Sequence, residues 1–301
     1  DFGDMSVEDF AAWKNKLESI DTSKQQIMIL DKINEIHKSL PKALLKNKKI
    51  LIMGVANDKS IGWAIAKACR EAGAELALSY QGSIFAKRVA PLAESIGCNF
   101  LVDCDVSNDS SVAQCFNTIK ERWHNIDGIV HAIAFSDKNE LKGQYLKTTR
   151  DNFLLTMNIS CYSLTSIVQH AEPIMSNQAS LVTLSYYGAE KVIPNYNVMG
   201  VAKAALECSV RYLAADLGPK RINTISAGPV RTLAASGIAD FRKMLNFAAS
   251  NSPLRRNIDA EEVAKTALYL LSDYSSGVTG EVIHVDSGYH INGMSVSDDN
   301  D

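Results

Sequence analysis

From Lys48 to about Asp286, short continuous apolar runs alternate with longer stretches in which apolar residues return every third or fourth position. The runs "KKILIMGV", "AELALSY", "NFLVDCDV", "DGIVHAIAF", "ASLVTLS", "RINTISAG" and "EVIHVD" predict buried strands. Between them "IGWAIAKACREAG", "SIFAKRVAPLAESIG", "SSVAQCFNTIKERW", a long region from about Arg150 to Met175, the stretch holding Lys203, and two stretches before "EVIHVD" carry the helical period. Strands apolar on both faces and separated by helices form a parallel sheet with right-handed crossovers. The expected architecture is α/β: one doubly wound, three-layer α/β/α domain with about seven parallel strands.

Residues 1–46 follow a different pattern. They hold no arginine, no proline before Pro41, and two amphipathic stretches, Val7 to Leu17 and Ile27 to Leu40, the second with Ile29, Ile33, Ile36 and Leu40 at helical spacing. The expected division is a helical N-terminal extension over 1–46, a catalytic domain over 47–294, and an acidic, disordered tail over 295–301. A transit peptide is Arg-rich and poor in acids, which this segment is not. The arm packs on the body or on a second subunit, or serves as a docking helix for a partner. The first residue is Asp1 rather than methionine, as in a truncated or processed chain.

Composition narrows the function. With 46% hydrophobic and 22% charged residues and a formal net charge of −3, the chain has no electrostatic case for binding nucleic acid or an anionic membrane. Its apolar runs fall well short of the roughly 18 residues of a membrane span. The six cysteines (69, 98, 104, 115, 161, 208) are scattered without a C-x-x-C pair, so they read as reduced packing residues of a cytosolic protein. No metal site is expected.

In a doubly wound sheet, ligands bind beyond the carboxyl ends of the strands. The first strand ends at Gly54 and the next helix begins near Ile61, with Ser60 beside it: a tight turn followed by a helix N-terminus that offers N–H groups to a phosphate. The spacing is not G-x-G-x-x-G, so this signal is weak alone. Asp105 at the third strand end can accept from an adenine amino group, and "HAIAF" puts small residues where a nicotinamide ribose approaches. Together they point to a Rossmann-type dinucleotide site. Gln81 ends the second strand where an acid would bind ribose hydroxyls and an arginine a 2′-phosphate. Gly82 and Ser83 follow it, so NADH is favoured over NADPH, although Lys87 and Arg88 lie one turn on.

The stripe Leu206, Val210, Leu213 and Leu217, extended backwards, puts Lys203 on the buried face of its helix. A buried lysine needs partners. Lys203 is expected to bind ribose hydroxyls and, as a cation, to lower the pKa of a nearby phenol. A literal Tyr-x3-Lys match at Tyr187 and Lys191 is disfavoured by Gly188 and Pro194. Tyr196, seven residues before Lys203, is the better candidate. If helical, the segment puts Tyr196, Met199 and Lys203 on one face and withdraws the tyrosine by roughly 4–5 Å along the axis relative to a spacing of four. That displacement suits conjugate reduction of an enoyl thioester, where hydride goes to Cβ and charge develops on the carbonyl oxygen two carbons away. A hydroxyl aimed at that oxygen stabilises it as an oxyanion-hole donor does. Met199, in the usual tyrosine's place, becomes a wall of the acyl pocket.

From about Leu45 to Met294 the chain resembles the bacterial enoyl-acyl-carrier-protein reductases, divergent members of the short-chain dehydrogenase/reductase superfamily. The resemblance is carried by "GVANDKSIGWAIAKA", "HAIAF", "TLSYYGAEKVIPNYNVMGVAKAALE", "ISAGPVRTLAASGIADFRKML" and "GEVIHVDSG". It implies an NADH-dependent homotetramer of the bacterial cytoplasm, an organellar location in a eukaryote staying open, that reduces a trans-2-enoyl chain on acyl carrier protein in fatty-acid synthesis. It implies that Tyr196 is the proton donor or enolate stabiliser, that Lys203 binds the nicotinamide ribose, and that Tyr186 is a second active-site tyrosine touching substrate. Gly54, Ser60, Ile61, Gln81, Asp105, Val106 and Ile133 are implied to line the cofactor. The "VRTLA" segment, Val230, Arg231, Thr232, Leu233 and Ala234, is implied to cover its pyrophosphate and nicotinamide side. Ser136 falls where the family often has alanine beside substrate, and Ala134 where some members have glycine. "LGPKRINTISAG" is about two residues short before the sixth strand, which trims a loop or disturbs the register leading to Gly228.

"TLAASGIADFRKMLNFAAS" combines small residues with an amphipathic run containing Ile238, Phe241, Met244 and Leu245. It reads as a packed helix or as a mobile lid over an acyl chain. Arg242, Lys243, Arg255 and Arg256 are candidate contacts for an acidic carrier protein. Two other functions compete: a ketone or alcohol dehydrogenase of the same superfamily, which would use Tyr-x3-Lys, and a catalytically silent NAD-binding sensor or scaffold, which would lack the tyrosine or the lysine.

Overall fold

In the computed structural model, residues 44–232 and 241–293 are described. The expected N-terminal helical arm and acidic tail therefore lie outside the described residues, apart from Leu44–Lys46. Leu45 is fully buried and its N–H donates to Ala72 O at 2.9 Å, so packing starts there.

Seven parallel strands make one sheet in the order β3-β2-β1-β4-β5-β6-β7: β1 (Lys49–Met53), β2 (Glu75–Tyr80), β3 (Leu101–Asp103), β4 (Ile126–His131), β5 (Met175–Ser185), β6 (Arg221–Ala227) and β7 (Val282–Val285). The chain starts in the middle, winds outward through β3, returns to β4 and winds the other way. This leaves a crevice at the carboxyl ends of β1 and β4, where the order reverses. The expected seven-stranded doubly wound fold is the one observed.

Both sheet faces are dry, which is why the strands read as unbroken apolar runs. Ile50, Ile52, Leu78 and Val130 face a core built with helix α1 (Ile61–Glu71), α2 (Gly82–Ser95) and α8 (Ala260–Leu271). Leu51, Met53, Ile129 and Leu181 face the opposite core, built with α3 (Asp109–Trp123), α5 (Ser163–Ala171) and α6 (Val198–Leu217). Five of the six cysteines are buried and all six are unpaired. No described helix is long and apolar enough to cross a membrane.

Three local readings change. The strand expected over "NFLVDCDV" is only three residues long, because the chain turns at Asp105, whose carboxylate accepts from the Ser107 N–H at 2.9 Å. The region from Arg150 is α4 (Arg150–Met157) and α5 joined by a wider π-type turn, Asn158–Tyr162. Ser160 in that turn accepts from Phe135 N and donates to Phe135 O, both at 2.9 Å, and so anchors the loop after β4. The short connection before β6 trims the loop and leaves the register intact. β6 pairs with β5 from Ser180↔Arg221 to Ser185↔Ser226, and Gly228 N still reaches Val285 O at 2.7 Å.

Candidate active site

A cleft of about 660 Å³ lies over the carboxyl ends of β1, β2 and β4. Gly54, Ser60, Ile61, Gln81, Asp105, Val106, Ile133, Lys203 and Thr232 all line it. Gly54 has φ +95° and lies so close to β4 that a Cβ would overlap Ala132 O, so the crossing admits glycine alone. Ser60, just before α1, accepts from Ala56 N and Asn57 N at 3.0 Å each and donates to Asn57 Oδ1 at 3.2 Å. Its hydroxyl thus shapes the loop rather than capping the helix, and the first N–H groups of α1 keep their donor capacity. Hydrogen bonds from the Ser107 hydroxyl, and also from Gln81, hold the Asp105 carboxyl below its ordinary range, so it is an ionised acceptor at neutral pH. A cradle only glycine fits, a helix N-terminus with spare donors and an acceptor at the far end suit a dinucleotide.

A second cavity, of about 620 Å³, adjoins the first and shares Ile61, Ala134, Phe135, Ser185 and Thr232 with it. Tyr186, Tyr196, Met199 and Ser136 line this second cavity with Leu141, Leu155, Phe241 and Met244. Ser136 is held from below by Thr156, whose hydroxyl donates to it at 2.8 Å, and both reach Asn152.

The "VRTLA" expectation divides. Thr232 borders both cavities and Val230 borders the second, whereas Arg231 lines neither and points into a separate hollow beside Lys59 and Asp259. Leu233, Ala234 and Ile238 lie outside the described residues.

Lys203 is buried on α6, as its stripe required, and its Nζ donates to Leu184 O at 2.7 Å. Burial pulls its ammonium down to about pKa 8, with Cys161 and Glu207 opposing the shift. Tyr196, however, is not on the helix. Asn195 and Asn197 adopt φ +61° and +42°, and α6 begins only at Val198. A turn from Tyr196 O to Met199 N (3.0 Å) seats the ring instead, so the helical distance estimate does not apply.

Tyr196 and Tyr186 meet edge to face, with centroids 5.1 Å apart, and the Tyr186 hydroxyl donates to Met244 Sδ at 3.4 Å. Burial raises both phenols above the ordinary tyrosine range, and neighbouring Tyr186 and Glu207 push Tyr196 further the same way. The expected lowering of the phenol by Lys203 is absent: lysine and tyrosine face different cavities. Tyr196 is therefore a neutral hydrogen-bond donor in the resting site. The Tyr187–Lys191 match belongs to neither cavity, and Tyr187 donates instead to His290 O at 3.1 Å.

Sequence reasoning missed Ser185 and Glu207. Ser185 borders both cavities and its hydroxyl donates to the buried Glu207 carboxylate. Their signal was available: Glu207 lies four residues after Lys203, hence on the same buried face, and a carboxylate there needs a partner.

Fold and site together define a Rossmann-type protein of the short-chain dehydrogenase/reductase class. The profile of the enoyl-(acyl carrier protein) reductase family matches residues 54–290, and the chain belongs to that family. It is 58% identical over 257 residues to enoyl-acyl-carrier-protein reductase (NADH) 1 of Rhizobium meliloti, covering 85% of this chain and 94% of that protein. It is 55% identical over 254 residues to the corresponding NADH enzyme of Rickettsia prowazekii, covering 84% of this chain and 97% of that one. The crystal structure of the enoyl-acyl-carrier-protein reductase of Anaplasma phagocytophilum in complex with NAD superposes with a TM-score of 0.81 at 56% identity, covering 86% of this chain and 97% of that one.

Proposed function

We infer that this chain is an NADH-dependent enoyl-acyl-carrier-protein reductase of fatty-acid synthesis. The observation that carries the reading is the pair of adjoining cavities, one with Lys203 in its wall and the other with Tyr186 and Tyr196. Bound NADH supplies the hydride that the β-carbon of the enoyl thioester receives. Gly54 and the N-terminus of α1 hold the pyrophosphate, Gln81 and Asp105 the adenosine end, and Lys203 the nicotinamide ribose.

Tyr196 aims its neutral hydroxyl at the thioester oxygen as negative charge grows there, then gives up its proton to the enolate. The buried, desolvated phenol makes that hydrogen bond stronger than in water. Tyr186 packs against the Tyr196 ring and touches the acyl group, while Met199, Ser136 and Val230 wall the acyl pocket. Phe241, Met244 and Leu245 sit on α7 (Phe241–Asn251), with Phe241 and Met244 turned to the cavity and Leu245 buried. This arrangement supports a lid role for α7.

The carrier protein docks beside α7, where Arg242 and Lys243 are exposed. Arg256 is paired with Glu262 at 2.6 and 2.7 Å, and Arg255 donates to Ser250 O at 2.8 Å. The protein works as a homotetramer in the cytoplasm. Apolar side chains exposed on the α4 side (Leu154, Tyr162) and on α6 (Val201, Tyr212) support self-association, and six unpaired thiols support a reducing compartment.

The test follows loss of reduced-nicotinamide absorbance with a crotonyl thioester, comparing wild type, Tyr196→Phe and Lys203→Ala. Turnover of ketones but not of enoyl thioesters would overturn the reaction. Full activity in both variants would overturn the residue roles.

A further inference from the structure

Behind the wall of the second cavity lies a polar cluster that the reaction above does not use. Ser136 follows β4, while Asn152 and Thr156 stand one turn apart on α4. They are 9%, 4% and 0% exposed, and Ser136 lines a cavity otherwise walled by Leu141, Leu155, Phe241 and Met244. The hydrogen bonds of this cluster do not balance. Asn152 Oδ1 accepts from the Asp137 N–H at 3.0 Å, which fixes the amide, because the reversed amide would set one N–H against another. Thr156 gives its proton to Ser136 Oγ at 2.8 Å. The Ser136 proton is left with the same Asn152 Oδ1, at 3.3 Å, a long contact between two oxygens, and Thr156 stands 3.4 Å from that atom. Asn152 Nδ2 is buried and has no hydrogen-bond partner among the described residues. Donors outnumber acceptors, and a buried donor without an acceptor is costly. The cluster can receive an acceptor oxygen and has no place for a further donor.

We propose that Ser136 is a specificity-determining residue whose hydroxyl, oriented by Thr156 and Asn152, donates to a carbonyl oxygen in the thioester–pantetheine arm of the substrate. This rests on the second cavity being the enoyl site. Substrate chemistry selects that arm: a straight enoyl tail carries no oxygen, so the acceptor is the thioester carbonyl or a pantetheine amide carbonyl. Thr156 occupies a lone pair of Ser136 Oγ, and the Ser136 proton exchanges its 3.3 Å contact with Asn152 for the carbonyl. Asn152 keeps the Asp137 N–H throughout, so the loop after β4 holds its place in both states. With the acyl tail against Phe241 and Met244, the donor at Ser136 sets the direction in which the chain lies in the cavity.

The experiment reads binding and turnover separately. Calorimetry on the NAD-loaded protein uses butyryl-pantetheine. Steady-state kinetics uses crotonyl-pantetheine and the S-ethyl crotonyl thioester, which has no amide. Ser136→Ala is expected to bind butyryl-pantetheine about fivefold more weakly, the worth of one hydrogen bond, at unchanged NADH affinity. Thr156→Val leaves Ser136 its hydroxyl and removes the group that orders it, so a smaller loss of the same kind is expected. A loss confined to KM for crotonyl-pantetheine assigns the amide carbonyl, and a loss in kcat for both thioesters assigns the thioester carbonyl. Unchanged butyryl-pantetheine affinity in Ser136→Ala overturns the proposal, and turnover of crotonyl-pantetheine by the wild type then leaves the reductase reading standing without this donor. A loss that extends equally to NADH in Ser136→Ala or Thr156→Val also overturns it, because the cluster would then be structural. Binding of butyryl-pantetheine that depends on Ser136, in a chain that reduces no enoyl thioester, refutes the reductase reading and leaves the donor role in place.

Discussion

Tyr186 and Tyr196 stand edge to face with 5.1 Å between ring centroids, although one follows a strand and the other precedes a helix. The contact fixes the Tyr196 ring from one side, and two asparagines with positive φ fix its backbone. A phenol so held makes its best hydrogen bond to an oxygen that becomes negative only during reaction. Tyr196→Phe is accordingly expected to lower kcat by roughly 100- to 1,000-fold, as loss of one oxyanion donor does, with little change in NADH affinity. Steady-state kinetics with a crotonyl thioester, paired with a binding titration, checks both halves.

Gly188 and Gly200 make room for that ring. A Cβ on Gly188 would overlap Tyr196, and one on Gly200 would lie 2.6 Å from Gly188 O. Gly188→Ala should displace the phenol while leaving the cofactor cleft untouched. The expected result is a kcat loss on the order of 100-fold, the usual effect of a misplacement near 1 Å, at unchanged NADH affinity. Equal loss of NADH binding would show that the damage spreads beyond the tyrosine.

Much of this site was legible in the residues. The seven strands, the buried lysine and the strand-end positions of Gly54 and Gln81 all follow from periodicity, because each depends on local pattern and on which face is dry. What did not follow were features set by backbone turns and long-range partners. Asn195 and Asn197 take Tyr196 off the helix, so a spacing argument built on helical rise does not describe how Tyr196 reaches its cavity. Asp105 ends β3 early by binding Ser107, two residues away, a competition that strand periodicity does not register. The Ser185–Glu207 bond spans 22 positions, and only the fold brings those residues together.

At the other cavity, Gly54→Ala tests the cradle. The residue combines φ +95° with direct approach to Ala132 O, so a methyl group both strains the backbone and wedges β1 from β4. The variant is expected to lose more than about 1 kcal/mol of stability and to bind NADH at least tenfold more weakly. Thermal melts with and without NADH measure the two effects separately.

Burial of Lys203 has a cost with a definite pH window. Its folded pKa is lowered from 10.5 to about 8, so the charged form is disfavoured in the native state. Below about 8 the group is protonated in both states and that penalty is complete. Between 8 and 10.5 the unfolded chain binds more protons, and wild-type stability gains from this group as pH rises. Lys203→Met removes the charge at comparable length. In the absence of cofactor it should be more stable than wild type at pH 7, and the advantage should shrink as pH rises through 8 towards 10.5. Denaturant unfolding of both proteins at three pH values measures the difference, and an advantage that grows with pH would contradict a buried cation.

Met244 joins α7 to the chemistry through a single contact, its sulfur accepting from the Tyr186 hydroxyl at 3.4 Å. It also lines the acyl cavity beside Phe241, while Leu245 and Ala248 anchor the same helix to the body. Met244→Ala therefore removes apolar wall and the tyrosine's partner together without touching the dinucleotide cleft. Losing that side chain from an acyl contact should raise KM for a long-chain enoyl thioester by on the order of tenfold, at about 0.8 kcal/mol per methylene no longer buried. A crotonyl thioester, too short to reach α7, should show a much smaller rise, and NADH affinity should hold. If KM rose equally for short and long chains, Met244 would be acting through Tyr186 on the reacting end rather than as a wall for the tail. Protection of the α7 region from proteolysis by NADH plus an acyl-chain mimic, lost in Met244→Ala, would tie that wall to closure of the helix over substrate.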